Sequence, residues 1–116
     1  MIGRVSFATI DAIDPDRLAA FWSEVLGAEV EETSDEGRFV FLAAANGHIL
    51  SFQRVPEPKS VKNRVHLDLR CENVIAETAR LVALGARVLS TTGPSDDWVV
   101  LADPEGNEFC VSTTLM

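Results

Sequence analysis

The first half of the chain alternates between strand-like and helix-like patterns of hydrophobic positions. Residues 4–11 are β-branched and apolar enough to predict a strand. Asp14 and Pro15 predict a helix start, because Asp is a favoured N-cap residue and Pro suits the first helical position. One apolar helical face follows, formed by Leu18, Phe21, Trp22 and Val25. Gly27 is predicted to end this helix. Three strands are then predicted, near 29–33, 38–44 and 48–55, separated by turn signals at 34–37 and 46–47.

The second half of the chain repeats this order. Residues 64–70 alternate apolar and polar side chains, and a helix is predicted over 74–84 before Gly85. One face of that helix carries Ile75, Ala79 and Val82. Strands are predicted near 87–91, 97–102 and 108–113, with turn signals at 93–96 and 103–107. The letters LGAEV at 26–30 also recur as LGARV at 84–88. Each half is therefore predicted to be a β-α-β-β-β module.

The domain organisation follows from this duplication. Module one is predicted over 1–55, a linker with two prolines over 56–63, and module two over 64–116. Neither module alone could cover its own sheet, so we expect the α+β chain to fold as a single domain over 1–116.

The composition argues against two classes of partner and favours one cellular compartment. The chain has 116 residues and a formal net charge of −8, which argues against a nucleic-acid backbone or an anionic membrane as the main partner. No apolar run approaches the ~20 residues of a membrane span, and the first residues lack the apolar stretch of a signal peptide. The two cysteines, Cys71 and Cys110, have no metal-like spacing. We therefore expect a soluble protein in the reducing cytoplasm.

The strand predicted at 64–70 carries the most informative polar side chains. Its apolar face holds Val65, Leu67 and Leu69. Its polar face holds His66, Asp68 and Arg70. This face is either a solvated ladder or, if the sheet curves, the lining of a cavity, in which His66 beside a carboxylate could be a base, a ligand or an anchor.

The last predicted strand carries a second polar stripe. Glu108, Cys110 and Ser112 share one face, opposite Phe109 and Val111. We interpret Cys110 and Cys71 as small packing residues, and His48 as a turn-edge residue. Trp98 could line a pocket, and Phe7 and Phe52 are open between core and cavity. No GxGxxG, P-loop, HExxH or nucleophile-elbow motif is present, and Gly106 is interpreted as a turn residue.

Five short segments, in this order on a duplicated module, carry a family resemblance. They are the stretches at 14–27, 52–59, 62–69, 84–86 and 103–111, the last with the letters DPEGNEFCV. With them the chain resembles the vicinal oxygen chelate superfamily, in its glyoxalase-like branch related to bleomycin-resistance proteins. The resemblance covers essentially the whole chain. It implies two βαβββ modules curling into a cup-like mixed sheet, usually assembled as a homodimer.

The resemblance also implies where a metal would lie. Metal-dependent members of the superfamily place ligands, typically His, Glu, His and Glu, at four equivalent strand positions. In this chain those positions fall at Phe7 (Ser6 if the register slips by one), Ser51, His66 and Cys110. Only His66 matches, so we expect no metal and no other cofactor. A divalent metal held by His66 with Asp68 and Glu108 is the alternative.

Three functions remain open from the sequence. The first is a metal-free module that binds and sequesters a small organic molecule, where an acidic protein suits a cationic ligand. The second is a lyase or isomerase of the superfamily that uses His66 as a base or metal ligand. The third is a domain whose pocket is vestigial. The residues expected to line the ligand pocket are Phe7, Ser51, Gln53, His66, Asp68, Trp98, Glu108 and Cys110.

Overall fold

The computed structural model describes residues 2–34, 38–43, 49–92 and 98–113. The chain forms two compact units, Met1–Pro58 and Lys59–Met116, called here the first and second units. The first unit contains β1 (Ala8–Ala12), α1 (Pro15–Leu26), β2 (Glu29–Ser34), β3 (Phe39–Ala43) and β4 (Ile49–Arg54). The second contains β5 (Leu67–Arg70), α2 (Val74–Leu84), β6 (Arg87–Thr92), β7 (Trp98–Ala102) and β8 (Glu108–Ser112). The prediction of two tandem βαβββ modules in an α+β fold is confirmed.

The two units have the same sheet topology. The first sheet has the strand order β1-β4-β3-β2, and the second has the order β5-β8-β7-β6. Within each sheet the first strand is parallel to the last strand of its unit, and the other pairs are antiparallel. No helix of the part of the chain described above is long and apolar enough to cross a membrane. The predicted turns at 46–47 and 93–96, most of the turn at 34–37, and His48 lie outside the described residues.

Helix α1 follows the sequence prediction closely. The Asp14 side chain caps its N-terminus by accepting a hydrogen bond from the Arg17 backbone N–H at 3.1 Å. Gly27 ends it in the left-handed region, with φ of 63°. Its predicted apolar face, Leu18, Phe21, Trp22 and Val25, is buried. Phe52 of the adjoining sheet is fully buried and belongs to this core, which decides the choice between core and cavity for that residue.

Helix α2 has the predicted bounds but buries a different face. Asn73 caps it through a hydrogen bond from the Ala76 N–H at 3.0 Å. The face that carries Ile75 and Val82 is exposed, at 72% and 47% of their surfaces, whereas Val74 and Leu81 are buried. Apolar residues occur in adjacent pairs at both ends of this helix, so the sequence offers two overlapping stripes, and contact with the sheet selects the stripe of Val74 and Leu81.

Two strands are shorter than predicted. The strand predicted at 4–11 begins at Ala8, and the strand predicted at 64–70 begins at Leu67. Each begins where its parallel partner can supply hydrogen bonds, since Ala8 lies opposite Leu50 and Leu67 opposite Phe109. Val65 consequently precedes the strand and is 78% exposed, so the prediction that it shares the apolar strand face of Leu67 and Leu69 is wrong.

Candidate functional site

Strand register collects most of the candidate side chains of the second unit on one face of its sheet. Phe109 and Val111 are fully buried on one face, and side chains alternate along β8. Residues that pair across neighbouring strands have their side chains on the same face of the sheet. Cys110 pairs with Asp68, and Ser112 pairs with Trp98. We call the surface formed by Asp68, Trp98, Glu108, Cys110 and Ser112 the polar face of the second unit.

His66 and Asp68 meet at the start of this face. His66 immediately precedes β5, and its Nε2 lies 3.4 Å from Oδ1 of Asp68. Both side chains are about half exposed, at 46% and 45%, so an ion pair here is screened by solvent and adds little to stability. The contact places the imidazole next to a carboxylate, which is the arrangement that a base or a metal ligand needs.

Cys110 joins this pair from the neighbouring strand. It is buried, as its interpretation as a packing residue requires, but it also has a polar partner. Burial raises the pKa of its thiol, and the charge of Asp68 and a hydrogen bond to that carboxylate raise the pKa further. The thiol therefore keeps its proton near neutral pH. One ligand atom from each of His66, Asp68 and Cys110 lies within 4.8 Å of the others.

Glu108 lies on the same face but has other partners. Its Oε2 accepts a hydrogen bond from the Asn63 N–H at 2.9 Å, and its Oε1 lies 3.4 Å from Nζ of Lys59. The Asn63 hydrogen bond, aided by Lys59 and Lys62, holds the pKa of the Glu108 carboxyl below its usual range. Asn63 Oδ1 in turn accepts the Glu108 N–H at 2.9 Å. Glu108 thus fastens the linker to β8, and the cluster of His66 and Asp68 is completed by Cys110 instead.

The turn before β8 is built by one buried carboxylate. Asp103 is 4% exposed, and its Oδ1 accepts hydrogen bonds from the N–H groups of Glu105 and Asn107 at 2.9 and 3.0 Å. Gly106 adopts a positive φ of 89° within this turn. The segment at 103–107 is therefore a turn that starts β8, in agreement with its interpretation from the sequence.

The first unit presents aromatic rings where the second presents polar groups. The rings of Phe7 and Phe41 lie 5.1 Å apart, and Phe39 stacks on Phe41 with centroids 6.5 Å apart. Phe41 and Phe39 pair across the sheet with Ser51 and Gln53, so all of these side chains share one face. We call it the aromatic face of the first unit. Phe39 and Phe41 were not predicted as site residues, although alternation along β3 with the buried Val40 and Leu42 would have indicated them.

The residues at the four ligand positions that the resemblance implies do not fit the metal set expected there. A phenyl ring at Phe7 offers no donor atom, and Ser51 offers only a buried hydroxyl. His66 and Cys110 supply one nitrogen and one sulfur, whereas the typical set is two imidazoles and two carboxylates. Among the described residues, the one group of three or more candidate ligands is His66, Asp68 and Cys110.

Comparison with known proteins identifies the relatives of this chain. The family model described as "Glyoxalase-like domain" matches residues 7–112. A search of curated proteins finds no match. The fosfomycin resistance protein FosX from Listeria monocytogenes, solved with Mn(II) and 1S,2S-dihydroxypropylphosphonic acid, is 19% identical with a TM-score of 0.79, over 100% of this chain and 94% of that one.

Two further structures agree with this result. A possible glyoxalase from Bacillus cereus is 18% identical with a TM-score of 0.74, over 94% of this chain and 97% of that one. A glyoxalase/bleomycin resistance protein/dioxygenase family enzyme from Burkholderia phytofirmans PsJN is 22% identical with a TM-score of 0.69, over 91% of this chain and 94% of that one. At these identities the structures establish a shared fold, and activity has to be argued from the residues of this chain.

Proposed function

The chain belongs to the glyoxalase-like domain family of the vicinal oxygen chelate superfamily, and on this premise we propose that it binds a small organic molecule, as a bleomycin-resistance-like sequestering protein does. One observation carries the proposal. Phe7, at the superfamily's first ligand position, contacts the ring of Phe41, which pairs across the sheet with Ser51 at the second position. The first unit thus offers an aromatic surface in place of two metal ligands.

The aromatic face suits a planar ligand with a positive charge. Phe7 is 42% exposed, and Phe39 and Phe41 are partly exposed, so ring surface is available for stacking. An aromatic contact of this kind contributes about 0.5–1.5 kcal/mol beyond area burial, and a cation over a ring contributes a similar amount. Asp11 pairs with Gln53 and shares this face, which places an exposed carboxylate near the rings. Binding by this face needs no metal ion.

A ligand screen on chelator-treated protein tests the proposal. A panel of planar organic cations, with neutral analogues of the same ring systems, is screened by thermal shift, and the hits are titrated by calorimetry. We expect binding without added metal, and an affinity loss of about fivefold to tenfold in Phe7→Ala, which removes one aromatic contact.

Val5→Ala is the matched control, because Val5 lies in the same segment and is 89% exposed. Its affinity should equal that of the unmodified chain. Hits whose binding is indifferent to Phe7→Ala, or a panel that gives no hits, would contradict the proposal.

A lyase or isomerase activity is the second candidate, favoured by the contact between His66 and Asp68. With Nε2 of His66 3.4 Å from the carboxylate, Asp68 can orient the ring while His66 accepts a proton from a substrate carbon. This candidate predicts turnover of a screened ligand that falls at least about 100-fold in His66→Gln. If a bound ligand is recovered unchanged from the unmodified protein, sequestration is the better description.

Assembly and compartment complete the proposal. The family match spans both units, which supports a single domain over 1–116. We propose in addition that two copies of this domain form a homodimer. Both cysteines are free thiols, which supports a reducing compartment such as the cytoplasm. Light scattering after size-exclusion chromatography should give twice the 12.6 kDa mass of the chain, whereas a monomeric mass would refute the dimer.

A further inference from the structure

We propose that His66, Asp68 and Cys110 form a binding site for a thiophilic divalent cation, zinc being the best fit, built wholly from the second unit. The observation is the convergence of three different donor types, an imidazole nitrogen, a carboxylate oxygen and a thiol sulfur, within 4.8 Å of one another. The strand register makes this convergence, because Asp68 and Cys110 are Cα partners on adjacent parallel strands. His66 lies two residues before Asp68 and contacts it.

The spacing is close to that of a zinc site. Two ligand atoms about 2.1 Å from a zinc ion at a tetrahedral angle lie about 3.4 Å apart, and a sulfur ligand lies about 3.6 Å from its neighbours. The distance between His66 Nε2 and Asp68 Oδ1 is already 3.4 Å. One donor atom from each of the three residues lies within 4.8 Å of the others, so closure needs shifts of about 1 Å. His66 and Asp68 are half exposed and can rotate, while the buried Cys110 fixes the sulfur.

The donor set selects the metal. Magnesium and calcium prefer oxygen ligands, whereas zinc accepts sulfur, nitrogen and oxygen together. On binding, the Cys110 thiol transfers its proton to solvent and its sulfur bonds to the metal. The resulting thiolate and the Asp68 carboxylate balance the two positive charges of the ion. Three protein ligands leave the fourth tetrahedral position to water.

This site differs from the metal set of the superfamily. Asp68 corresponds to none of the four ligand positions, and the thiol of Cys110 stands where those relatives have a carboxylate. The site also does not depend on the aromatic face of the first unit. Metal binding is therefore measured without any organic ligand, and the failure of either proposal leaves the other testable.

Cobalt is the spectroscopic probe for this site. The full chain is freed of metal with a chelator, kept reduced, and titrated with Co²⁺ and, in a separate calorimetric experiment, with Zn²⁺. A cobalt–thiolate bond gives a charge-transfer band in the near ultraviolet, and tetrahedral cobalt gives intense visible bands. We expect both bands to saturate at one ion per chain, and zinc to abolish them by displacement.

Matched variants assign the ligands. Cys110→Ser should abolish the thiolate band, whereas Cys71→Ser should retain it. His66→Ala and Asp68→Asn should each weaken zinc affinity at least about tenfold, and Glu72→Gln, at an exposed carboxylate of the same unit, should leave it within about twofold. Circular dichroism confirms that each variant is folded, and His66 and Asp68 are exposed enough for their variants to fold even if Cys110→Ser does not. A missing thiolate band, a band lost in Cys71→Ser, or unchanged affinity in Asp68→Asn would overturn the assignment.

Discussion

Replacing Glu108 by Gln should destabilise the folded protein at neutral pH. The carboxylate accepts the Asn63 N–H at 2.9 Å and lies 3.4 Å from Nζ of Lys59, and its side chain is only 17% exposed. Gln has the same size and keeps one oxygen acceptor, so the substitution removes the charge and leaves the packing nearly unchanged. Lys62 lies 4.0 Å away and is 77% exposed, so it contributes little.

The magnitude follows from the hydrogen bonds. A hydrogen bond to a charged group contributes about 1.5–3 kcal/mol, against about 0.5–1.5 kcal/mol for a neutral one. Glu108→Gln keeps a neutral hydrogen bond to Asn63 but loses the charge on that bond and the ion pair with Lys59. The free energy of unfolding should therefore fall by about 1–2 kcal/mol. For a chain of 116 residues this corresponds to a fall in Tm of about 4–8 °C.

The stability difference between Glu108→Gln and the unmodified chain should depend on pH, in a direction set by the pKa of Glu108. The folded-state pKa of Glu108 lies below its ordinary value of 4.5, so its ionised form stabilises the fold. The stabilisation by the ionised carboxylate is complete at pH values above the ordinary pKa of 4.5, and it is lost as the pH falls through the lower folded-state pKa. The difference between Glu108→Gln and the unmodified chain should thus be full at pH 7 and should shrink steadily below about pH 4.5.

Urea denaturation followed by fluorescence and circular dichroism at a series of pH values is the assay. Glu72→Gln is the control, because Glu72 is an exposed carboxylate of the same unit and should change stability by less than about 0.5 kcal/mol. Equal stability of Glu108→Gln and the unmodified chain at pH 7, or a difference that grows on acidification, would refute the role given to Glu108.

The remaining predictions concern the core, a cap and the thiols. Phe52→Ala should cost about 3–5 kcal/mol of unfolding free energy in urea, since Phe52 is fully buried; a loss below 1 kcal/mol would contradict its place in the core. Asp14→Ala should cost about 1 kcal/mol by removing the N-cap of α1, and calorimetric stability equal to that of the unmodified chain would contradict the cap. Iodoacetamide should label Cys71 before Cys110 in the folded protein, because burial raises both thiol pKa values but leaves Cys71 partly exposed, and mass spectrometry that finds Cys110 modified first would contradict this order.

Local chemistry made the helices predictable from the sequence. Asp14 with Pro15 marked the start of α1, and Gly27 marked its end, because caps and turns depend on neighbouring residues alone. The repeated order of elements followed from the same kind of local signal. The start of a strand depends on a partner strand that is distant in the sequence. The predicted starts of β1 and β5 were therefore too early, because the pairing of these strands begins only at Ala8 and Leu67.

The candidate site was only partly predictable for the same reason. Alternation placed His66 and Asp68 on one side, and Glu108 and Cys110 on one side of β8. The alternation pattern does not show which strand lies next to β8, and so Asp68 and Cys110 were expected in one pocket without being predicted as neighbours across two strands. Nor does it show that Glu108 would be held by Asn63, 45 residues earlier in the chain. Both contacts are long-range consequences of packing.

Mapping a bound ligand by amide chemical shifts tests most directly whether this glyoxalase-like protein binds an organic molecule through its aromatic face. The measurement uses chelator-treated protein and a planar organic cation selected by the thermal-shift screen. The account predicts metal-independent shift changes that centre on Phe39, Phe41 and Ser51 and weaken in Phe7→Ala, while Val5→Ala behaves as the unmodified chain. Shift changes that appear only after a divalent metal is added, or that leave these residues unaffected, would contradict it.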